Sequence, residues 1–546
     1  MTMNVAQALV RYLKEQGVRQ IFGVSGHSIF AITDAIYQEP GMSFVPSQFE
    51  VAAGYMANGF ARGRASLSVC LISSGGGATN VMSGVAQAYK ESYPVLFISS
   101  EVERELSGKG ASSWHEIPQQ PMFAPITKLS VSLQRPEDTI EILEEAVRTA
   151  TTGRYGPVYL GIPRDVQTAQ IEAPAAWPRH AHVAQRQRAD PRLIAQAADL
   201  LSGASAPSIL IGGGVHFAHA EPDVIEVAEL VGAPIATSTA YKGLVSEDHP
   251  LALGVAGAAA APFANRALQE SDVVLAIGTT FSEPTTLGYG RRVIPSGARI
   301  IQVDVDPAEI GKIYAPEIGI VADAKIASRQ LADEIRTRGP ARADGAARLQ
   351  RIGIEKRQWR AENAEHARST SGPINPWHVY HALREAIPDD ALVVGEGGTM
   401  ELIHRFVARG QVFHGGEFRP IGHGIATSLG LQCAFPERRV ICVAGDGSFM
   451  MEMQELATAV QHDLPILVLV LRNEAYGNMK RDQLRHYDGR VIGTELRVPD
   501  LPTLASAFGA YGARIDRPAD LVGAIRAALD ARRPALVDVV CPIEGI

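Results

Sequence analysis

The chain has 546 residues, 46% of them hydrophobic, and a formal net charge of −8. That length holds about two to four domains, the apolar content excludes a disordered chain, and the acidic balance argues against a nucleic-acid-binding surface. Cys70, Cys433, Cys442 and Cys541 show no CxxC spacing, so neither a zinc site nor a disulfide framework is expected.

Taken in order, residues 5–16 space their apolar side chains as an amphipathic helix, and nothing near the start has the apolar core of a signal peptide. Residues 20–24 are a short strand ending at Ser25, Gly26 and His27. Ser43–Pro46 is strand-like and leads into a helical stretch, 51–61. Residues 67–73 form an apolar strand followed by the loop SGGGATN (74–80), a helix and a further strand, 95–99. GPVYLGIPRDV (156–166) closes this region. Repeated β-α alternation predicts a parallel, doubly wound sheet. A Pro/Ala/basic stretch, 173–189, reads as a linker. Three runs then carry a strand into a Gly- or Asp-bearing turn: PSILIGGGV (207–215), VVLAIGTTF (273–281) and RIIQVDVDPAEIG (299–311). A charged, helix-leaning connection, 336–372, precedes the last region. The expected fold is α/β, with three doubly wound domains of mainly parallel sheet at 1–172, 190–335 and 373–546. No run approaches the ~20 apolar residues of a membrane span, and a soluble cytoplasmic protein is expected.

The last region holds the stretch on which the chemistry turns, residues 440–477, VICVAGDGSFMMEMQELATAVQHDLPILVLVLRNEAYG. An apolar run, 440–444, reaches a Gly-Asp-Gly turn, and a helix-like segment carrying Met450, Met453, Leu456, Ala457 and Val460 follows. Pro465 breaks that segment, and a second apolar run, 466–471, ends at Arg472 and Asn473. This is a β-α-β unit by length and periodicity. A hairpin at Asp446-Gly447 is disfavoured by the helix-like residues after it. A parallel crossover returns the second strand beside the first, so Asp446 and Asn473, each just past a strand end, are neighbours. A carboxylate, an amide oxygen and nearby carbonyls are hard ligands suited to Mg²⁺. Glycines at a helix start let backbone N–H groups approach an anion, so the stretch is expected to hold a metal–diphosphate group.

Residues 445–473 resemble the metal–diphosphate motif of thiamine-diphosphate enzymes, a GDG followed at a fixed distance by an Asn pair. The order of the whole chain resembles the acetolactate synthase and benzaldehyde lyase superfamily, which implies pyrimidine-binding, central and diphosphate-binding domains. It also implies thiamine diphosphate and Mg²⁺ as cofactors. On that resemblance Asp446 and Asn473 ligate the metal through side chains and Ala475 through its carbonyl. Gly447 and Ser448 donate to the diphosphate, and Gly398 and Thr399 embrace its other side. Gly445, Tyr476, Gly477 and Arg419 complete the implied cofactor set, and Arg472 stands where the family's pair begins with Asn. Glu50, in FVPSQFEVAAGYMANGFARG, takes the place of the glutamate that hydrogen-bonds the cofactor's pyrimidine ring. By itself, a glutamate at a helix start is only what the helix dipole favours. Phe49 replaces the family's usual His before it. Ile421, in FRPIGHGIATSLG (418–430), takes the place of the bulky residue wedged between the cofactor's rings, a positioning effect. His423 in the same stretch reads as structural.

Substrate-side residues are expected from three loops. Ser25, Gly26, His27 and Ser28 lie where relatives carry Gly-Gly or catalytic histidines, so His27 or Ser28 is a candidate catalytic residue. The loop SSGGGATN resembles SGPGATN with Gly76 in place of Pro, and Gly75, Gly76 and Gly77 shape a pocket floor. WHEIPQQPMFAPITK (114–128) resembles FQEVD…ITK, with His115 at the position of an active-site Gln. For His27 and His115 a loop histidine without a catalytic role is the competing reading. Residues 479–495 are expected to cover the site. Gly212, Gly213 and Gly214 suggest a dinucleotide site or only a tight turn. FAD-binding acetolactate synthases carry an Arg-Phe-Asp-Asp-Arg-like run where this chain has Thr280, Phe281, Ser282 and Glu283; FAD is therefore not carried over, and ADP or an empty site stays open.

The resemblance implies a carbon–carbon lyase or carboligase that decarboxylates a 2-oxo acid and passes the carbanion to a proton or a second carbonyl. It implies a homodimer or homotetramer with active sites between subunits. The alternative is a non-decarboxylating lyase of a 2-hydroxy ketone or 2-hydroxyacyl-CoA, supported by the likeness of GEGGTM to the EGAN run of acyl-CoA lyases. From another class comes a flavin oxidoreductase of the pyruvate oxidase type. A catalytically silent homologue is disfavoured by Glu50, Asp446 and Asn473 occurring together.

Overall fold

The computed structural model describes residues 2–178, 186–338, 344–368, 372–399, 403, 408 and 410–542. Parts of the expected linker and of the charged connection, and Met400 of GEGGTM, lie outside the described residues. Most of the connection's described part is one long helix, Asp344–Arg368.

Three six-stranded parallel sheets follow one another along the chain. The first runs, edge to edge, Ser43–Pro46, Gln20–Gly23, Ser68–Ile72, Val95–Glu101, Val158–Pro163, Leu129–Ser132. The third runs Val412–Phe413, Leu392–Gly395, Val440–Gly445, Leu467–Arg472, Ala535–Val540, Tyr511–Ile515. Numbered within each sheet by chain order, both read 2-1-3-4-6-5, so the first and third domains share one topology. The central sheet reads 3-2-1-4-5-6, the doubly wound dinucleotide-fold order. Every position of Ser68–Ile72 and of Val273–Ile277 is buried. Helices cover both faces of a parallel sheet, which is why these strands are continuous apolar runs rather than alternating ones.

Local chemistry sets the element ends. Asn4 and Gln7 exchange side-chain-to-backbone bonds of 2.8 and 3.0 Å as a capping box at the start of Val5–Glu15. Arg11 and Lys14, which interrupt that helix's apolar pattern, both reach Glu39, at 3.0 and 2.6 Å. Asp446 opens a helix, not a hairpin. The expected single helix after it is two, Asp446–Glu452 and Glu455–Gln461, joined by a tightened turn in which Leu456 and Ala457 N–H donate three residues back, at 3.1 and 3.0 Å.

The first and third domains share one apolar core, containing Phe22, Met56 and Phe97 from one and Leu429, Val440 and Phe449 from the other. At its centre helices Glu50–Arg64 and Gly424–Ala434 cross backbone to backbone: a Cβ on Gly430 would stand 2.0 Å from the Met56 carbonyl oxygen, and one on Gly59 2.4 Å from that of Thr427. Buried Arg62 ties in the central domain, donating to the carbonyls of His414 (3.1 Å) and Ala240 (2.5 Å) with its guanidinium over the Tyr241 and Phe413 rings. All four cysteines are free thiols. Among the described residues no helix is long and apolar enough to cross a membrane.

Candidate active site

Strands Val440–Gly445 and Leu467–Arg472 are hydrogen-bonded neighbours with Gly445 opposite Leu471, which brings Asp446 and Asn473 together. The Asp446 Oδ2 accepts from the backbone N–H of Asn473 (3.0 Å) and Glu474 (2.5 Å), and its Oδ1 from Gly447 (2.9 Å). Burial lifts the Asp446 carboxyl above its ordinary range, and these N–H groups pull it back. The Asn473 Oδ1 accepts from Ala475 N–H at 3.1 Å. A carboxylate and an amide oxygen, both hard oxygen donors of the kind small divalent cations take, are thus brought beside one another. Among the described residues no group of three His, Cys, Asp or Glu makes an all-side-chain metal site.

Beside this donor set the backbones converge. A Cβ on Gly447 would press 2.6 Å from the Tyr476 ring, and one on Gly398 would sit 2.9 Å from the Asn478 amide. Ser448 Oγ would lie 2.9 Å from a Cβ on Gly397. The glycines therefore let residues 397–398, 446–448 and 473–478 approach one another closely, with the Tyr476, Asn478 and Ser448 side chains packed against them. The Thr399 hydroxyl is used differently, with its one proton in reach of the carbonyls of Glu396 (2.7 Å) and Val443 (3.0 Å). Gly477 opens helix Gly477–His486. The segment after it is tied back by a bridge between Ala475 and Glu495 and by the Leu496 N–H on the Glu474 carbonyl (2.8 Å).

Arg472 takes no part in the donor set. It pairs with Glu474 at 2.6 Å and with fully buried Asp538 at 3.3 Å, and Arg514 meets the same Asp538 oxygen at 2.8 Å. Ile421 is 46% exposed, next to Gly422, whose Cβ would stand 2.8 Å from Met451. Arg419 faces elsewhere, lining a cavity of about 650 Å³ between the domains with Gly212, Gly213, Arg154, Asp304 and Glu417. Gly214 packs on Gly278 there, a Cβ on it reaching 2.6 Å from the Gly278 Cα.

The first-domain half gathers at the carboxyl ends of its own sheet. Glu50 is the first residue of Glu50–Arg64, and its Oε2 accepts from Asn80 Nδ2 at 3.0 Å. A Cβ on Gly77 would lie 3.3 Å from the other carboxyl oxygen. Ser28 Oγ accepts from the Ser74 N–H (3.2 Å), and Ser74 Oγ stands 3.3 Å from His115 Nδ1. His27 packs against Phe30 and the exposed Trp114, whose ring lies 4.3 Å from that of His115. Glu50, Ser28 and His115 thus surround one loop, residues 74–80, with His27 on its rim.

Sequence reading missed the residues that hold these loops. Buried Gln119 accepts from Gly75 N–H at 2.7 Å and donates to the Ser100 carbonyl at 2.9 Å. Glu455, on the helix pair after Asp446, accepts the Gln48 N–H at 3.2 Å, two residues before Glu50; burial pushes its carboxyl up to about 7. Glu396 and Glu452 are buried acids behind Ile421. For Glu452 and Glu455 the signal was a carboxylate on a helical stretch rich in apolar residues; Gln119 and Glu396 carried none.

Three family models match the chain in order: the thiamine pyrophosphate enzyme N-terminal TPP binding domain at residues 3–122, the central domain at 194–331, and the C-terminal TPP binding domain at 396–539. A probable acetolactate synthase large subunit of Methanocaldococcus jannaschii is 33% identical over 100% of this chain and 93% of the relative. The acetolactate synthase isozyme 3 large subunit of Escherichia coli is 31% identical over 100% of this chain and 95% of its own length. The acetolactate synthase large subunit of Corynebacterium glutamicum is 31% identical over 98% and 87%. With three matching domains on three parallel sheets and full-length relatives of one kind, the chain belongs to the thiamine pyrophosphate enzymes, among those of the acetolactate synthase type.

Proposed function

We propose that this protein is a thiamine-diphosphate- and Mg²⁺-dependent carboligase or lyase that releases CO₂ from a 2-oxo acid and delivers the remaining carbanion to a proton or a second carbonyl. The observation that carries the reading is the meeting of Asp446 and Asn473 past two neighbouring strand ends, beside the close-packed backbones at Gly398 and Gly447. Asp446, Asn473 and the Ala475 carbonyl would hold the metal, with Gly447, Ser448 and Gly398 around the diphosphate. Bound thiamine diphosphate supplies the reacting carbon, a thiazolium C2 that adds to carbonyl groups once deprotonated. Glu50, steadied by Asn80, would hydrogen-bond the pyrimidine ring and move its proton. Ile421 would keep the two rings bent towards each other. His27, Ser28 and His115, around the 74–80 loop, would meet the substrate.

Glu50 takes its side-chain partner from the first domain and Asp446 its partners from the third. Phe49, Ile421 and Met451, beside the two half-sites, are each 39–46% exposed. Both facts support a homodimer, or a dimer of dimers, in which Glu50 of one copy serves the metal site of another. Mixing Glu50→Gln with Asp446→Ala protein should then restore turnover that neither variant has alone.

The deciding assay supplies thiamine diphosphate and Mg²⁺ and measures CO₂ from pyruvate and phenylglyoxylate, and aldehyde from benzoin. CO₂ release supports the proposal. Aldehyde without CO₂ from any 2-oxo acid moves it to the non-decarboxylating lyase, and reduction of a bound flavin by the 2-oxo acid moves it to the oxidoreductase. Wild-type turnover in Glu50→Gln at saturating cofactor refutes the mechanism.

A further inference from the structure

Ile421 precedes a run of backbone that two buried acids hold. Consecutive N–H groups of residues 422–426 all donate to side-chain carboxyls. Glu396 Oε1 accepts from Gly422 and from His423 (2.8 Å), and its Oε2 from Gly424 (3.0 Å). Glu452 Oε1 accepts from Ile425 (2.8 Å) and Oε2 from Ala426 (3.1 Å). A helix start leaves its first N–H groups without intrahelical partners, and His423, at the N-cap of Gly424–Ala434, provides no side-chain cap. The two glutamates, 0% and 2% exposed, come from opposite directions: Glu396 follows strand Leu392–Gly395, and Glu452 ends the helix that Asp446 begins.

We propose that Glu396 and Glu452 act as one positioning unit for the Ile421 loop, setting where the Ile421 side chain stands against the cofactor. The inference rests on the reading of Ile421 as the wedge. Two carboxyls in contact and out of water do not both ionise, so the pair keeps one proton between them. Burial first, and then the Glu396 charge and a hydrogen bond to it, hold the Glu452 carboxyl well above the ordinary range. With its carboxyl raised, Glu452 is the seat of the proton, and Glu396 faces three backbone N–H groups against two on Glu452. Because Glu452 ends the Asp446 helix, the same unit relates the height of the wedge to the metal site.

The pair predicts an asymmetry that a merely structural role does not. In Glu452→Gln the amide oxygen keeps one of the two backbone N–H groups, and its NH₂ group can donate to Glu396. In Glu396→Gln an NH₂ group is forced against N–H donors. Glu452→Ala and Glu396→Gln should each lower kcat about 10- to 100-fold, the cost of misplacing a reacting group by roughly 1 Å. Substrate KM and thiamine diphosphate affinity should change little, and Glu452→Gln should recover part of the loss. Amide hydrogen exchange on the cofactor-free protein should be faster at residues 422–426 in the two damaging variants, with residues 446–448 unchanged. Wild-type exchange at 422–426 in both damaging variants would overturn the proposal, as would a Glu452→Gln as impaired as Glu452→Ala. Ile421→Ala keeps the two readings apart: if it retains wild-type kcat while exchange follows the expected order, the wedge reading fails and the carboxyl hold on the loop stands.

Discussion

Gly430→Ala tests the crossing that joins the first and third domains. In an exposed helix interior the change gains about 0.4–1 kcal/mol, because alanine has less backbone freedom to lose. At Gly430 the new Cβ would lie 2.0, 2.7 and 2.9 Å from the Met56 carbonyl oxygen, carbonyl carbon and Cα. Carbon atoms pack at about 3.5–4.0 Å, and the obstacle is backbone, so no rotamer relieves it; the helices must part by on the order of 1 Å. Overpacking of that size costs about 1–3 kcal/mol and reverses the sign of the helix-propensity gain. Gly523→Ala is the control: it lies in helix Leu521–Asp530, and nothing stands within 4 Å of its added Cβ. Urea unfolding of the cofactor-free protein should show Gly523→Ala at or above wild type and Gly430→Ala below it. Because the two crossing helices begin beside Ile421 and at Glu50, turnover per folded molecule should also fall in Gly430→Ala. Equal stability of the two variants would refute the reasoning.

Glu455 gives a pH prediction. Its carboxyl stands at about 7 when folded against an ordinary 4.5, so between those values the folded state holds the extra proton and stability falls as pH rises. The loss is complete above about 7 and absent below 4.5, with an upper size of roughly 3 kcal/mol. Thermal unfolding from pH 4.5 to 8 should therefore show a smaller decline in Glu455→Gln than in wild type; parallel declines would count against it. Arg472→Asn, which installs the family's usual residue, should leave Mg²⁺ affinity by calorimetry unchanged yet cost about 1–3 kcal/mol on denaturation, because buried Asp538 loses one of two cationic partners. Asp446→Ala should weaken metal-dependent retention of thiamine diphosphate by more than the ~10–100-fold that loss of an outer-shell partner costs. Retention at the wild-type metal concentration would remove Asp446 from the site.

How much was legible follows from how far apart the cooperating residues lie in the chain. The apolar runs at Ser68–Ile72, Val273–Ile277 and Val440–Gly445 announce parallel strands because both faces are buried and each residue carries its own signal. The Asp446–Asn473 pairing was readable because a single crossover forces two strand ends together. The break after Glu452 was not: its periodicity continues through Met453, and only the destinations of the Glu452 and Glu455 carboxylates give the turn a purpose. Arg472 showed no purpose beyond standing where the family's pair begins with Asn, because its partner, Asp538, arrives from a strand far along the chain.

Local pattern therefore determined the alternation of helix and strand, the three-sheet α/β class and the donor types at Asp446 and Asn473. These depend on side-chain period and on residues one crossover apart. Tertiary structure alone decided that Gly59 and Gly430 let two helices touch, that Glu396 and Glu452 hold the Ile421 loop, and that Arg419 faces the interdomain cavity. Each of these depends on burial and contact between segments remote in the chain. A buried glutamate has the same letter as an exposed one, and only the surrounding fold states which N–H groups it must satisfy.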